Sequence, residues 1–191
     1  MSLPENLAPL LAPISSLQRL LERLGGRGVI LGGVATGFHG KPRFTVDVDA
    51  MVLASVNDIP QLLLFAKEEG IEPRIENVDG FARKNRVLLL RHTSSKVNID
   101  ISLGVLPIEE EAVERSVIHN LGTLSIRLPT PEDLIIMKAI AHRPKDLEDI
   151  RTIAEKYQTL DVERIQQWVS AFAEILEQPE LWNQIEPLLM G

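Results

Sequence analysis

The fold is decided by two short stretches, VILGGVA at residues 29–35 and RFTVDVD at residues 43–49. The first predicts a buried strand over residues 29–31 that turns through Gly32 and Gly33 into a short helix, because an apolar run precedes the glycine pair. Such a turn exposes backbone N–H groups, which can hold a phosphate against the helix N-terminus. For a lone glycine pair, a plain strand-to-helix turn is the alternative interpretation.

The second stretch predicts a strand over residues 43–53 that carries two carboxylates one residue apart. Side chains alternate between the two faces of a strand, so Thr45, Asp47 and Asp49 share one face. The other face, which we expect to be buried, is formed by Phe44, Val46, Val48 and Ala50. Two adjacent anions repel each other unless a cation lies between them, so we expect a divalent metal ion at Asp47 and Asp49.

A third carboxylate is predicted on the polar face of another strand. Alternation over residues 96–103 places Val97 and Ile99 on an apolar face and Asn98 and Asp100 on a polar face. Asp100 could ligate a second cation or take the proton of an acceptor hydroxyl, because a general base must lie within reach of the attacking oxygen. Three acids and a glycine turn suit Mg²⁺, which binds one or two carboxylates together with substrate phosphates.

Periodicity and capping residues predict the remaining elements. Helices are predicted over residues 15–24, 34–39, 59–69, 130–141 and 144–157, from residue 161, and around residues 181–185. Strands are predicted over residues 86–91 and 123–128, a loop around residues 77–80, and a short helix or loop over residues 107–115. We therefore expect an α/β (α+β) fold, in which helices flank a small mixed sheet and a helical segment forms the C-terminal part.

Two charged residues of the C-terminal helices have both a structural and a functional interpretation. Lys138 lies in a helix rich in leucine and isoleucine, where a lysine either extends its ammonium group to water or points into a binding site. Asp146 lies in the first turn after Pro144, where an acid is favourable against the helix dipole. Local sequence leaves both interpretations open for Lys138 and favours the structural one for Asp146.

Composition excludes several classes of function. The chain has 191 residues, a net charge of −7 and no cysteine, so disulfides, zinc–thiolate sites and a thiol nucleophile are ruled out. The negative charge argues against a broad basic surface for nucleic acid. The sequence contains neither a membrane-spanning run nor a signal peptide, so we expect a cytoplasmic protein with no membrane partner.

Four ordered sequence elements resemble those of a known superfamily. They comprise Gly32, Gly33 and Ala35, then Arg43, Thr45, Asp47 and Asp49, then Asp100, and finally residues 128–138 with residues 143–150. Together they resemble the nucleotidyltransferases related to DNA polymerase β, and most closely the AbiEii-type nucleotidyltransferases, the toxins of abortive-infection toxin–antitoxin systems. The resemblance covers roughly residues 27–155, and the four elements together are far more specific than any one motif.

The resemblance implies a nucleotidyltransferase core over residues 1–128 and a helical segment over residues 129–191 packed on it. It implies transfer of a nucleoside monophosphate from an NTP to an acceptor hydroxyl with Mg²⁺ or Mn²⁺. The acceptor could be tRNA or another RNA, a protein or a small molecule, and an antitoxin is a candidate partner protein. The alternative is a degenerate nucleotidyltransferase fold that binds a nucleotide or another protein without catalysis.

The resemblance also implies roles for individual residues. The implied catalytic residues are Asp47, Asp49, Asp100, Lys138 and Asp146, of which Asp47, Asp49 and Asp100 are also the implied metal ligands. The implied nucleotide-binding residues are Gly32, Gly33, Arg43, Thr45 and Lys138, and Arg143 and Lys145 are weaker candidates. The superfamily often has Gly-Ser at the glycine turn, so Thr45 or the backbone must supply the phosphate contact of the absent serine.

Overall fold

A five-stranded mixed sheet forms the centre of the fold in a computed structural model, which describes residues 5–42, 44–122 and 124–190. Its strands are β1 (Gly28–Ile30), β2 (Asp47–Leu53), β3 (Ile71–Pro73), β4 (Val87–His92) and β5 (Asn98–Gly104). They lie in the order β1-β2-β5-β4-β3. Strand β2 runs parallel to β5, whereas the other neighbouring strands are antiparallel.

Helices flank the sheet and form the C-terminal part of the chain. They are α1 (Leu11–Arg23), α2 (Gly32–His39), α3 (Ile59–Glu68), α4 (Val78–Asn85), α5 (Pro107–Glu114), α6 (Pro131–Ala141), α7 (Pro144–Lys156), α8 (Val162–Ile175) and α9 (Leu181–Leu189). Strands β6 (Val117–Leu121) and β7 (Leu124–Leu128) form a separate antiparallel hairpin. No helix of the described ranges is long and apolar enough to cross a membrane.

The C-terminal helices pack onto the sheet domain through a shared apolar core. One cluster of buried side chains extends from Leu7 to Ile185 and includes residues of the sheet and of α6 to α9. Helix α6 starts where the sequence predicts, because Pro131 occupies its first turn and the Thr130 hydroxyl accepts a hydrogen bond from the backbone N–H of Asp133 at 3.2 Å. Helix α2 contacts both α6 and α7, so the helical segment lies beside the glycine turn.

The predicted fold class is confirmed, but the predicted start of the acidic strand is wrong. Strand β2 begins at Asp47, and Phe44 and Val46 are 79% and 63% exposed instead of buried. The neighbouring strand β5 begins at Asn98, directly opposite Asp47, so the preceding residues have no strand of this sheet to pair with. Alternation therefore describes the faces of the chain only from Asp47 onwards.

The structure also differs from the sequence prediction at one loop and at two short strands. The loop predicted around residues 77–80 opens helix α4, because the Asn77 side chain accepts a hydrogen bond from the Gly80 N–H at 3.1 Å. Arg86 ends that helix in the left-handed conformation, with φ of 55°. The sequence pattern did not predict the short strands β3 and β6, each of which pairs along only one edge. Residues 107–115, predicted as a helix or loop, contain helix α5.

Candidate active site

Three carboxylates lie on one face of the sheet, and we call Asp47, Asp49 and Asp100 the acid row. Asp49 on β2 is directly opposite Asp100 on β5 in the parallel register, and Asp47 is opposite Asn98. Asp47 and Asp49 are two residues apart on one strand and therefore share a face, and directly paired residues of adjacent strands also share a face. The structure thus brings together all three acids that the sequence pattern singled out.

The acid row carries an electrostatic cost in its ionised form. Burial raises the pKa of Asp49, and the negative charges of Asp47 and Asp100 raise it further. Lys145 and Arg143 act in the opposite direction on the pKa of Asp49, which places positive charge near the row. A cation beside Asp47 and Asp49 would relieve the repulsion, in keeping with the chemistry predicted for this pair.

Asp100 has a cationic partner that the sequence pattern did not predict. The Arg74 guanidinium lies 3.0 Å from Asp100 Oδ1 and donates a hydrogen bond to Oδ2 at 3.1 Å. Burial raises the pKa of Asp100, whereas the charge and hydrogen bond of Arg74 lower it and the charge of Asp47 raises it. Arg74 follows the short strand β3, so no local signal in the sequence connects it with Asp100.

The glycine turn lies directly against the acid row. Gly32 has φ of +57°, and a β-carbon at this position would overlap the Asp49 carboxylate. A β-carbon on Gly33 would lie 2.5 Å from Thr45 Oγ1, and that hydroxyl donates a hydrogen bond to Asp47 Oδ1 at 2.9 Å. Both glycines are therefore required by close packing, and the Thr45 hydroxyl fills the space that a side chain at position 33 would need.

The first turn of α2 supplies hydrogen-bond donors to this region. The Leu31 N–H donates to the carbonyl oxygen of Asp49 at 2.8 Å, which fixes the start of the helix beside β2. The N–H groups in the first turn of any α-helix have no partner within the helix, and they carry a partial positive charge. Gly32 and Gly33 thus present backbone donors at the end of the acid row, as the sequence predicts for a phosphate-binding turn.

The N-terminus of α7 forms the opposite side of a cleft of about 340 Å³. The cleft, which we call the active cleft, is lined by Leu31, Gly32, Gly33, Thr45, Asp47, Asp49, Lys138, Arg143, Lys145 and Asp146. Arg143 and Lys145 are exposed at its rim and face the acids electrostatically. Their position depends on the break between α6 and α7, where His142 adopts a left-handed conformation with φ of 47°.

Lys138 is held inside the protein by two buried aspartates. Its side chain is only 7% exposed, and its ammonium group lies 2.7 Å from Asp149 Oδ2 and 3.4 Å from Asp146 Oδ1. The alternative interpretation, in which this lysine extends to water, is excluded, because the two carboxylates of α7 bind the ammonium group beneath the cleft. Lys138 thus ties α6 to the first turns of α7.

The carboxylate of Asp146 is fully buried and bound by cations. Arg143 Nε donates to Asp146 Oδ2 at 2.5 Å, and the Arg143 backbone N–H donates to the same oxygen at 3.2 Å. Burial alone would raise the pKa of Asp146, but the hydrogen bonds of Arg143 and the charge of Lys138 outweigh burial and lower it. Asp146 therefore holds Arg143 at the cleft, and its predicted catalytic role stays a prediction.

The donor set fits a metal ion that is bound jointly by protein and substrate. Within residues 5–42, 44–122 and 124–190, no group of three or more histidine, cysteine, aspartate or glutamate residues is arranged to hold a metal ion. Mg²⁺ commonly binds through one or two carboxylates plus substrate phosphates, and Asp47 and Asp49 provide such a pair beside the phosphate-binding turn. Asp47 and Asp49 are therefore the protein ligands that we expect for the metal ion, and the substrate would supply the remaining ligands. Asp100 is engaged by Arg74.

Arg43, predicted to bind nucleotide, is outside the described residues. His39 is buried away from the active cleft, where Nε2–H donates to the Pro129 carbonyl at 3.0 Å and Nδ1 accepts from the Tyr157 hydroxyl at 2.7 Å. Both ring nitrogens of His39 are therefore engaged within the core.

The mixed sheet, the acid row and the glycine turn define the nucleotidyltransferase class. The sequence matches the family described as "Nucleotidyltransferase of unknown function (DUF6036)" over residues 5–185, and the chain belongs to that family. Membership makes the protein a transferase of the nucleotidyltransferase superfamily, as the sequence elements predicted. Among curated proteins, no sequence matches the chain.

Two solved structures share this fold. An antigenic nucleotidyltransferase-like protein from Paracoccidioides brasiliensis aligns with a TM-score of 0.56 and 17% identity, over 94% of this chain and 93% of that chain. The solution structure of the antibiotic-resistance factor ANT(2'')-Ia aligns with a TM-score of 0.56 and 15% identity, over 87% of this chain and 94% of that chain. At these identities the likeness concerns the fold, and it agrees with the predicted fold class.

Proposed function

We propose that the protein transfers a nucleoside monophosphate from an NTP to an acceptor hydroxyl in a reaction that depends on Mg²⁺ or Mn²⁺. The observation that carries the proposal is the position of Asp47 and Asp49 between the first turn of α2 and the cations of α7. Backbone donors and cations bind phosphate, whereas paired carboxylates bind a metal ion. Their presence in one cleft suits a metal–triphosphate substrate.

The proposed binding mode assigns the triphosphate to the space between α2 and α7. The backbone N–H groups of Gly32 and Gly33 bind its terminal phosphates, and Thr45 takes the place of the serine that the superfamily often has at the turn. Arg143 and Lys145 neutralise phosphate charge from the opposite rim, because both are exposed and close enough to lower the pKa of Asp49. Asp146 binds Arg143 and is itself bound by Lys138, so these two residues keep Arg143 in place.

The proposed chemistry is an in-line displacement at the α-phosphorus. The acceptor oxygen forms a bond to the α-phosphorus, the bond from that phosphorus to the oxygen bridging the β-phosphorus breaks, and pyrophosphate leaves. In this proposal Asp100 receives the hydroxyl proton, and the hydrogen bond from Arg74 supports its position. A divalent cation on Asp47 and Asp49 would supply charge neutralisation at the reacting phosphate.

Label transfer tests this proposal. The protein is incubated with each of the four ribonucleoside triphosphates labelled at the α-phosphate, with Mg²⁺ and with RNA, protein and small-molecule fractions of a cell extract. We expect label in one fraction, loss of transfer with a metal chelator, and loss of transfer in Asp49→Asn. Asp79→Asn on α4 is the matched control, because Asp79 forms a surface ion pair with Arg83. Label transfer by Asp49→Asn at the wild-type rate would disprove the assignment of the active site.

The ion pair between Arg74 and Asp100 favours a second candidate function, namely nucleotide binding without transfer. The guanidinium engages the carboxylate oxygens that would have to accept the proton, so the cleft could instead serve as a nucleotide sensor or a protein-interaction module. Binding of Mg–NTP without label transfer to any fraction would support this alternative. Arg74→Ala separates the two functions, because it should slow transfer by an enzyme but leave binding by a sensor unchanged.

We also propose that the protein is closely related to the AbiEii-type toxins. It rests on the segments at residues 128–138 and 143–150, in which Lys138 and Asp146 occupy the matching positions. If the relation holds, expression of the chain alone should slow bacterial growth, and a co-expressed antitoxin should restore it. RNA, with tRNA as the first candidate, is then the acceptor to test. Normal growth during expression of an active enzyme would exclude the toxin role.

A further inference from the structure

A second cavity opens on the same sheet face, beside the active cleft. It has a volume of about 200 Å³, and we call it the methionine pocket. Its lining includes Leu31, Met51, Ser102, Glu109, Met137 and Ile140. Leu31 lines both cavities, so the pocket adjoins the active cleft at this side chain. The pocket therefore lies where a substrate held at the acid row can extend.

The strand register fixes the distance between this pocket and the acid row. Met51 follows Asp49 by two residues on β2, and Ser102 follows Asp100 by two residues on β5, with Met51 directly opposite Ser102. Two residues along a strand span about 7 Å, and they keep the same face. That distance is comparable to the span of a ribose, which separates the α-phosphate of a nucleotide from its base.

The lining of the pocket is apolar, with two polar groups that present hydrogen-bond acceptors. In the described part of the chain, the hydrogen bonds to Glu109 both end on Oε2, which accepts from the N–H groups of Val105 and Leu106 at 2.8 Å. Oε1 is therefore left for a ligand. The Ser102 hydroxyl donates to the Ala50 carbonyl at 3.2 Å, so its oxygen is left to act toward a ligand as an acceptor.

We propose that the methionine pocket binds the nucleobase of the NTP and selects bases that carry an amino group. This inference rests on the proposed function. Adenine and cytosine present an exocyclic amine as a donor, as guanine does on another edge. Uracil has a single donor on its pairing edge, N3–H, and the carbonyl oxygens on either side of it would lie against the Glu109 carboxylate. The methionine and aliphatic side chains suit the flat faces of a base, because thioether sulfur packs favourably against aromatic rings.

Glu109→Gln reverses the polarity of the pocket with little change in shape. A glutamine at this position of a helix start can keep its carbonyl oxygen on the backbone N–H groups, so its amide nitrogen replaces the free carboxylate oxygen. The pocket then presents a donor where the wild type presents an acceptor. Glu110→Gln is the matched control, because Glu110 is the exposed neighbour of Glu109 on α5 and does not line the pocket.

Equilibrium binding to the full chain tests the inference without knowledge of the acceptor. Calorimetry measures the Kd of the Mg²⁺ complexes of ATP, CTP, GTP and UTP, with inorganic tripolyphosphate as the probe that lacks a base. We expect at least one of ATP, CTP and GTP to bind about tenfold tighter than UTP, since a hydrogen-bonding site discriminates against a ligand whose acceptors lie against its own acceptor. Glu109→Gln should reduce this ratio about tenfold, whereas Glu110→Gln should leave it unchanged.

The outcomes separate this inference from the proposed function. UTP binding as tightly as the other three, or a ratio that Glu109→Gln leaves unchanged, overturns the base pocket while tripolyphosphate binding still supports the active cleft. A variant that changes transfer to the acceptor but not the NTP affinities shows that the acceptor occupies the pocket, and it also overturns the inference. Absence of both NTP and tripolyphosphate binding overturns the proposed function and this inference together.

Discussion

Replacement of Lys138 by methionine tests how the active cleft is supported. The change keeps most of the aliphatic side chain but removes a charge that lies 2.7 Å from Asp149 Oδ2 and 3.4 Å from Asp146 Oδ1. Removal of one partner from a buried ion pair costs about 3–5 kcal/mol, because it leaves a buried charge without compensation. We expect the lower end, about 3 kcal/mol, since Asp146 keeps its hydrogen bonds from Arg143.

Chemical denaturation of wild type and Lys138→Met measures this loss directly. A loss of 3 kcal/mol in a chain of this length corresponds to a fall in Tm of roughly 6–12 °C. The double variant Lys138→Met with Asp149→Asn is the control, because removal of both charges should recover part of the lost free energy of unfolding. A loss below about 1 kcal/mol, typical of an exposed ion pair, would refute the argument that buried carboxylates hold this lysine.

Three further predictions concern the core and the cleft. Burial lowers the pKa of His39 to about 4 from its usual 6.5. The unfolded chain therefore binds a proton more readily than the folded one, and the free energy of unfolding should fall by about 3 kcal/mol between pH 6.5 and pH 4. In urea titrations His39→Gln should lack this loss, and an equal loss in the variant would contradict the assignment. Gly33→Ala should cost about 1–3 kcal/mol and weaken tripolyphosphate binding, because the new methyl group meets Thr45; unchanged binding would count against the turn. Asp49→Asn should raise Tm at neutral pH, because burial and neighbouring acids raise the pKa of Asp49 and so oppose its ionised form in the fold; a lower Tm would contradict this reasoning.

Local patterns were sufficient to predict the acid row and the glycine turn. Asp49 and Asp100 each stand out as a polar residue on an alternating apolar strand, and alternation carries over to the face of the folded sheet. The same rule failed for Phe44 and Val46, because burial requires a neighbouring strand and β5 begins only at Asn98. The alternation of apolar and polar residues thus predicted on which face of the sheet each acid lies, but not where the strand begins.

The cations of the site could not be ranked from sequence, because their roles depend on tertiary contacts. Arg74 meets Asp100 across the sheet, and neither residue lies in a shared motif. Lys138 was expected at the cleft or in water, and only the packing of α6 against α7 shows that Asp146 and Asp149 hold it. Arg143 was a weaker candidate, although it lies at the rim and opposite the acids.

The most direct test of the central claim compares NTPs labelled at the α-phosphate with NTPs labelled at the γ-phosphate. With Mg²⁺ and an extract that contains the acceptor, the account predicts that α-label is transferred to the acceptor while γ-label is released as pyrophosphate. It also predicts that Asp49→Asn transfers neither label. Transfer of the γ-label to the acceptor, or equal transfer of α-label by wild type and Asp49→Asn, would contradict nucleotidyl transfer at the acid row.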